Sequence, residues 1–303
     1  MKKGSALFFI MVSFFLAWSV LGWGYSGGFI DLITPIGSQS LGNGGSGIVW
    51  GLDSMGLNPA GLAGVENLEV NMGYLNYLND FKVSRLSIGL PTVWGVFAID
   101  YSVFQSKKWP ITTEEEPFGT GEMFFEQDSC LSFGYGRRIL KSNIYAGIEI
   151  KKVQMKLYKY SSDSILFSFG IRFYNEGLGF GISAENLGGK VKFISEEERI
   201  EATYRLGFGL TVFRGKGGDL DILFDMEKRG EATPTFIPGF IFYYGDLINF
   251  NAGYRIDDGE NGISTGLGFS IKAGRNLHFV LDLVYSDVGV LGEKNGAAIS
   301  VLW

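Results

Sequence analysis

Gly42-Asn43-Gly44-Gly45-Ser46-Gly47 fits the pattern G-x-G-x-x-G, in which backbone N–H groups cradle a pyrophosphate when a strand precedes and a helix follows. Neither element is evident. Gly28 to Gly37 holds Pro35 and no buried-strand pattern, and the strands downstream alternate instead of forming apolar parallel runs. The glycines are therefore read as letting the backbone turn tightly and approach a wall. His278 is the only histidine, which argues against a histidine metal cluster or a serine triad. Asp282, four residues further along the same strand face, would stand roughly 13 Å away at strand rise, beyond hydrogen-bond reach. Asp221, Asp225 and Glu227 share a predicted inner face with Arg172, Arg205 and Arg255. Carboxylate pairs can do acid–base work, but opposite charges spread over many strands more simply fill an interior with ion pairs. The triple-Glu runs Glu114–Glu116 and Glu196–Glu198 read as solvated loop faces. No catalytic, cofactor-binding or metal-ligating residue is expected, and the chain does not read as an enzyme.

The elements that position these residues are strands. In Ile165 to Tyr174, Ile165, Phe167, Phe169, Ile171 and Phe173 alternate with Ser168, Gly170 and Arg172, which puts the two sets on opposite faces. Leu220 to Glu227, Ile248 to Asp257, Ile263 to Lys272 and Leu277 to Tyr285 repeat the scheme. Soluble sheets alternate too, but here the apolar face is aromatic in nearly every strand and no helical pattern is available to cover it. The chain has 303 residues with 45 Gly, 26 Phe and 14 Tyr, and a mean hydropathy of +0.15. Past the N-terminus no apolar run is long enough for a spanning helix. The acidic net charge of −6 argues against a nucleic-acid partner.

Segments around Tyr74, Leu86, Phe97, Phe133, Ile148, Phe169, Phe180, Phe208, Phe224, Phe240, Phe250, Leu267, Leu281 and Ile299 give about fourteen strands. Turns near Pro91, Lys141, Asn175, Lys216, Gly245 and Arg275 are short, whereas Ser106 to Thr120 and Leu187 to Arg199 are longer and polar. That asymmetry is the one outer-membrane barrels show. The fold expected is all-β: a transmembrane antiparallel β-barrel of about 14 strands, with a short N-terminal hatch in its lumen. Residues 1–24, with Lys2, Lys3 and an apolar run from Ala6 to Leu21, read as a cleaved signal peptide. Residues 25–65 form the hatch and 66–303 the barrel. Within the hatch, Gly37 to Gly64 is too Gly-rich for a stable helix, yet Ile48, Val49, Trp50, Leu52, Met55 and Leu57 need burial, so it reads as a plug. Asn58-Pro59-Ala60 marks where the plug turns toward the first strand, because the residue before a proline is biased out of the helical region. Lone Cys130 permits no internal disulfide. Trp303 ends the last strand on the face of Ile299 and Val301, as a terminal signal for the barrel assembly machinery.

The run from Leu41 through Trp50 to Asp53, followed by Asn58-Pro59-Ala60-Gly61-Leu62-Ala63, resembles the N-terminal signature of the PorV/PorQ proteins, the related UPF0164 proteins and, more distantly, the FadL-like long-chain fatty acid transporters. Glu185-Asn186-Leu187-Gly188, Tyr204-Arg205-Leu206-Gly207 and Leu281-Asp282-Leu283-Val284-Tyr285 extend the resemblance over nearly the whole mature chain. It implies a fourteen-stranded outer-membrane barrel in contact with outer-membrane lipid. Two functions follow from it. A protein of the PorV/PorQ type acts as a surface scaffold or escort for exported proteins; a FadL-like protein is a conduit for a hydrophobic small molecule. The hatch motif residues Gly42, Gly44, Asn58, Pro59 and Ala60 would hold or gate the lumen in either case.

Overall fold

A computed structural model describes residues 29–78, 80–140, 142–193, 196–257, 262–274, 277–287 and 292–303. The signal peptide expected over 1–24 and the first four residues of the expected hatch lie outside the described residues. The strands are β1 (Glu69–Tyr77), β2 (Phe81–Thr92), β3 (Gly95–Ser106), β4 (Trp109–Pro110), β5 (Met123–Phe124), β6 (Glu126–Arg138), β7 (Ile144–Leu157), β8 (Tyr160–Asn175), β9 (Leu178–Leu187), β10 (Lys190–Phe193), β11 (Glu196–Arg199), β12 (Thr203–Gly215), β13 (Gly218–Arg229), β14 (Thr235–Tyr244), β15 (Ile248–Arg255), β16 (Gly262–Ala273), β17 (Leu277–Asp287) and β18 (Glu293–Leu302). Fourteen of them close into one antiparallel barrel, each strand hydrogen-bonded to its neighbours in chain order, with β1 sealing against β18 from Glu69 opposite Leu302 to Tyr77 opposite Lys294. Closure removes the free edges that a membrane would not tolerate. Each of the fourteen positions around which a strand is expected falls in a different barrel strand.

Alternation sets the faces. Along β8, Ile171 is 58% exposed and its neighbour Arg172 is fully buried, so the aromatic and branched set faces lipid and the small and charged set faces the lumen. Among the described residues no helix is long and apolar enough to cross a membrane.

The strand ends joined by the connections after β2, β6, β8, β12, β14 and β16, each connection at most five residues long, lie at the end of the barrel where the chain finishes. The longer ones, 107–125 and 188–202, lie at the other. In outer-membrane barrels the short turns face the periplasm and the long loops the exterior, which fixes the two ends. The two long segments are not plain loops: β4 pairs with β5 and β10 with β11, as small antiparallel ribbons above the rim. The second is held because Val191 and Ile200 pack into the apolar interior of the outer half-barrel. One seam is interrupted. Pro238 has no N–H to offer β15, so the β14–β15 ladder stops at Gly239 opposite Gly253 and resumes only as a bridge between Phe236 and Ile256.

Inside the barrel lies the hatch: two one-turn helices, α1 (Phe29–Leu32) and α2 (Ile36–Gln39), and two 3₁₀ turns, Gly51–Ser54 and Pro59–Gly64. The chain enters it in the outer half, where the Phe29 ring is 6.3 Å from Phe104. It crosses the lumen, rests the Pro59–Gly64 turn on β6, β7 and β8, and leaves at Val65 for β1.

Candidate functional site

The hatch approaches the wall where the wall has no side chains. Inward-facing positions of the barrel are repeatedly glycine at one level, and a Cβ added there would strike hatch atoms. At Gly136 it would lie 2.7 Å from the Ala63 nitrogen and at Gly207 2.7 Å from that of Gly47. At Gly147 it would overlap the Pro59 carbonyl, at Gly181 that of Ser46, and at Gly253 the backbone of Leu41. Real Cβ contacts do not reach such values, so these glycines form a socket cut to the backbone of the hatch.

Within that socket the Gly-rich loop is clamped by side chains from several strands of one side of the barrel. The Asp225 carboxylate on β13 accepts hydrogen bonds from the Gly45 and Ser46 N–H groups at 3.0 and 2.9 Å. The loop thus forms an anion-binding nest, and the protein's own carboxylate occupies it. Arg172 on β8 donates to the Ser46 carbonyl from Nε and Nη2 at 3.2 and 2.8 Å and to the Val49 carbonyl from Nη1 at 2.6 Å. Its guanidinium lies 4.5 Å from the Trp50 ring centroid. Asn43 and Gly42 give their carbonyls to Arg205 and Arg255 at 2.9 and 3.5 Å. Gly44 packs beneath Leu223 and Ile237, with no room for a side chain.

Asn58 is fully buried and ties three elements together. Its Nδ2 donates to the carbonyls of Ser46 and of Ile171 on β8, at 3.1 and 3.2 Å, and its Oδ1 accepts from the Ala60 N–H at 3.1 Å as the N-cap of the following turn. Pro59 takes the first position of that turn, where its missing N–H costs nothing. Ser183 on β9 adds a bond to the Leu57 carbonyl at 2.6 Å.

Around the socket runs a belt of buried ion pairs. Glu227 receives Arg205 at 2.6 Å and Arg255 at 2.9 Å, and Arg205 also meets Glu185 at 3.1 Å. Across the lumen, Arg85 on β2 pairs with Asp100 on β3 at 2.6 Å and donates to the Ile33 carbonyl at 2.9 Å. Arg229 pairs with Asp31 of α1. Asp225 and Arg172, expected within the wall's own ion-pair network, instead hold the hatch backbone. Between belt and hatch remains a cavity of about 20 Å³, beside Arg85, Asp100, Glu149 and Lys151, room for roughly one water.

Outward of the belt the lumen is apolar over part of its circumference. Leu75, Val83, Phe104, Val153, Met155 and Leu166 face inward there and enclose Phe29, Ile30 and Ile33. Aromatic rings continue this surface to the exterior: Phe104 stacks on Phe81 at 5.3 Å, Phe81 meets Trp109 at 5.9 Å, and Trp109 meets Phe124 across the β4–β5 ribbon at 5.8 Å. Sequence reasoning missed both this lining and the glycine socket. The signal for each was the identity of the inward set along each strand, glycine toward one end and leucine or valine toward the other.

Trp303 is 72% exposed on the lipid-facing side, and its N–H donates to the Leu68 carbonyl at 2.9 Å. His278 has a buried Nε2 without a hydrogen-bond partner among the described residues. Among the described residues no three His, Cys, Asp or Glu side chains are grouped to hold a metal ion.

No family model and no curated protein matches the sequence. Solved structures do resemble the fold. The toluene transporter TbuX of Ralstonia pickettii is similar with a TM-score of 0.54 at 10% identity, over 87% of this chain and 96% of that one. The deltaS2S3 mutant of the monoaromatic hydrocarbon channel TodX gives 0.51 at 9% identity, over 80% of this chain and 91% of that one. At such identities the likeness is one of fold, and the fold shared is that of closed antiparallel outer-membrane barrels.

Proposed function

We propose that the protein is a conduit for small hydrophobic molecules across the outer membrane. The observation that carries this reading is the apolar outer half-lumen, joined without a break to the aromatic residues of the external β4–β5 ribbon. Water-filled barrels line their interiors with polar groups, and a lumen that only anchored the protein would have no use for a dry path to the surface. Two proteins of similar fold are described as a transporter of toluene and a channel for monoaromatic hydrocarbons, which supports the same direction. The scaffold or escort role implied by the PorV/PorQ resemblance draws on no comparable observation.

The hatch divides by its anchoring. Residues from Asn43 to Leu57 are clamped by Asp225, Arg172, Arg205 and Ser183. The arm from Phe29 to Ile36 is held by apolar contact, by Arg85 and Arg229, and by hydrogen bonds from Gln39 to the Leu32 and Thr34 carbonyls and from Thr34 to Asn43, none of them to a charged wall group of the clamped core. In this reading the arm yields to an entering molecule while the clamped core stays seated.

The test is uptake of the neutral dye N-phenylnaphthylamine by cells whose lipopolysaccharide leaflet excludes it. Cells carrying the parent barrel should take up dye saturably, and Val153→Asp or Phe104→Ser should abolish the gain while the barrel still inserts. Uptake equal to that of cells without the barrel would overturn the proposal.

A further inference from the structure

The apolar lining of the outer half-lumen ends on a charged floor. Toward the hatch, Val83 on β2 is followed on the inward face by Arg85, Phe104 on β3 by Ser102 and Asp100, and Val153 on β7 by Lys151 and Glu149. Each inward step along a strand covers about 7 Å. An apolar molecule that fills the upper section therefore brings its leading end to these polar groups.

The floor is neutral as a whole, and its bonding capacity is unevenly used. Asp100 pairs with Arg85 at 2.6 Å and accepts further bonds from Ser87 and Ser102 at 2.6 and 3.0 Å. Lys151 donates to Asn186 Oδ1 at 3.1 Å, and its ammonium stands 3.5 Å from Glu149 Oε2, an ion pair without a hydrogen bond. Glu149 is 2% exposed, and among the described residues its Oε2 has no hydrogen-bond partner. A buried acceptor left in that state is costly. Glu149 lines the one-water cavity together with Arg85, Asp100 and Lys151. The hatch closes that cavity with Ile30, Ile33 and Thr34 of the arm and with Met55 and Gly56 of the clamped core.

Arg85 Nη1 donates to the Ile33 carbonyl at 2.9 Å, so withdrawal of the arm opens the cavity to the apolar section and frees that donor. The opened floor then offers one unpaired acceptor, Glu149 Oε2, and one free donor, Arg85 Nη1, around a space one oxygen wide. A hydroxyl answers both, since its proton goes to the carboxylate while its lone pair accepts from the guanidinium. A hydrocarbon answers neither. A carboxylate has no proton to donate and meets Glu149 and Asp100 as like charges.

We infer that this floor is a hydroxyl-binding site, which makes the lumen selective for apolar molecules carrying one terminal hydroxyl, with Glu149 as the specificity-determining acceptor. The site belongs to the proposed conduit and rests on that reading, because the arm must yield before a molecule reaches it.

Equilibrium dialysis of the purified chain in dodecyl maltoside, with empty micelles as the reference, gives the partition of a fluorescent naphthalene from micelle to barrel. 2-Naphthol should partition about tenfold more strongly than 2-methoxynaphthalene, which keeps the oxygen and lacks its proton; that factor is the worth of one hydrogen bond to a charged group. 2-Naphthoate should partition more weakly than 2-naphthol. Glu149→Leu should erase the preference for 2-naphthol over 2-methoxynaphthalene. Where that variant fails to show heat-modifiable gel migration, Glu149→Leu with Lys151→Met removes both charges of the pair together, and the comparison of ligands on the parent chain needs no variant. Equal partition of 2-naphthol and 2-methoxynaphthalene, a preference for 2-naphthoate, or a 2-naphthol preference kept by a folded Glu149 variant would overturn the site. Dye uptake by cells is read separately. Uptake with equal partition overturns the hydroxyl site and leaves the conduit, whereas selective partition without uptake supports the site and overturns the conduit.

Discussion

Asp225 illustrates how one wall side chain can fix the hatch. Its two oxygens are the acceptors for two buried N–H groups of the Gly-rich loop. Asp225→Ala leaves both unpaired in a site closed to bulk water, so it should destabilise the docked hatch by roughly 2–4 kcal/mol. A lower urea midpoint for protease cleavage within residues 37–64, with the barrel itself still resistant, would register that loss. Asp53 gives a pH counterpart. Burial pushes the Asp53 carboxyl above the usual carboxylate range, against the opposing pull of Arg85 and the Gly37 N–H. A raised folded-state pKa means that its contribution is full in acid, below the unfolded value, and is lost as pH rises through the folded value. The hatch should therefore loosen with rising pH, and Asp53→Asn should flatten the dependence. Identical pH profiles for parent and Asp53→Asn would show that the charge of Asp53 plays no part. Neither role was legible in the sequence, because a carboxylate on a strand's inner face looks the same whether its partner is an arginine on the next strand or a loop nearly two hundred residues away.

At the scale of elements, the strands were legible because lipid imposes a strict rule on one face, so aromatic and branched residues recur at every second position. The socket was not. Gly136, Gly147, Gly181, Gly207 and Gly253 lie on five different strands, and nothing local marks them as one surface. Their agreement arises only on closure, when inward positions of separate strands come to one level. Replacing such a glycine should therefore act on the hatch and not on the strand that carries it. Gly147→Ala places a methyl against the Pro59 carbonyl and should cost roughly 1–3 kcal/mol of hatch docking by overpacking. Gly217→Ala, in a turn with open space around it, should cost little. Equal effects of the two substitutions on hatch proteolysis would mean that the wall glycines serve flexibility and not close approach. The two ribbons above the rim escaped sequence reading for a related reason: their strands are two to four residues long, too short for alternation to declare itself.

For the whole molecule, assembly and closure are separable. Trp303 is proposed as the signal read by the assembly machinery, since it directly follows β18 on the lipid side. Trp303→Asp should lower the fraction of chain that shows heat-modifiable gel migration in the outer membrane, while export to the periplasm continues. Undiminished insertion of Trp303→Asp would remove that role. The lumen is tested by taking out residues 37–64. With them present, hatch backbone fills the glycine socket, and the arginines and carboxylates of the wall are bonded to it or to each other. The parent barrel should then be electrically quiet in a planar bilayer. Their removal exposes the glycine socket and the charged groups bonded to the hatch, which water enters readily, and an interior of fourteen strands is wide enough to conduct ions. Asn58→Ala with Pro59→Ala is the milder form of the experiment. It deletes the bonds to Ser46 and Ile171 but leaves Asp225 and Arg172 seated, so it should give brief, flickering openings where the deletion gives steady current. Steady and equal current from parent and deletion would mean that this stretch does not close the barrel, whatever else it touches.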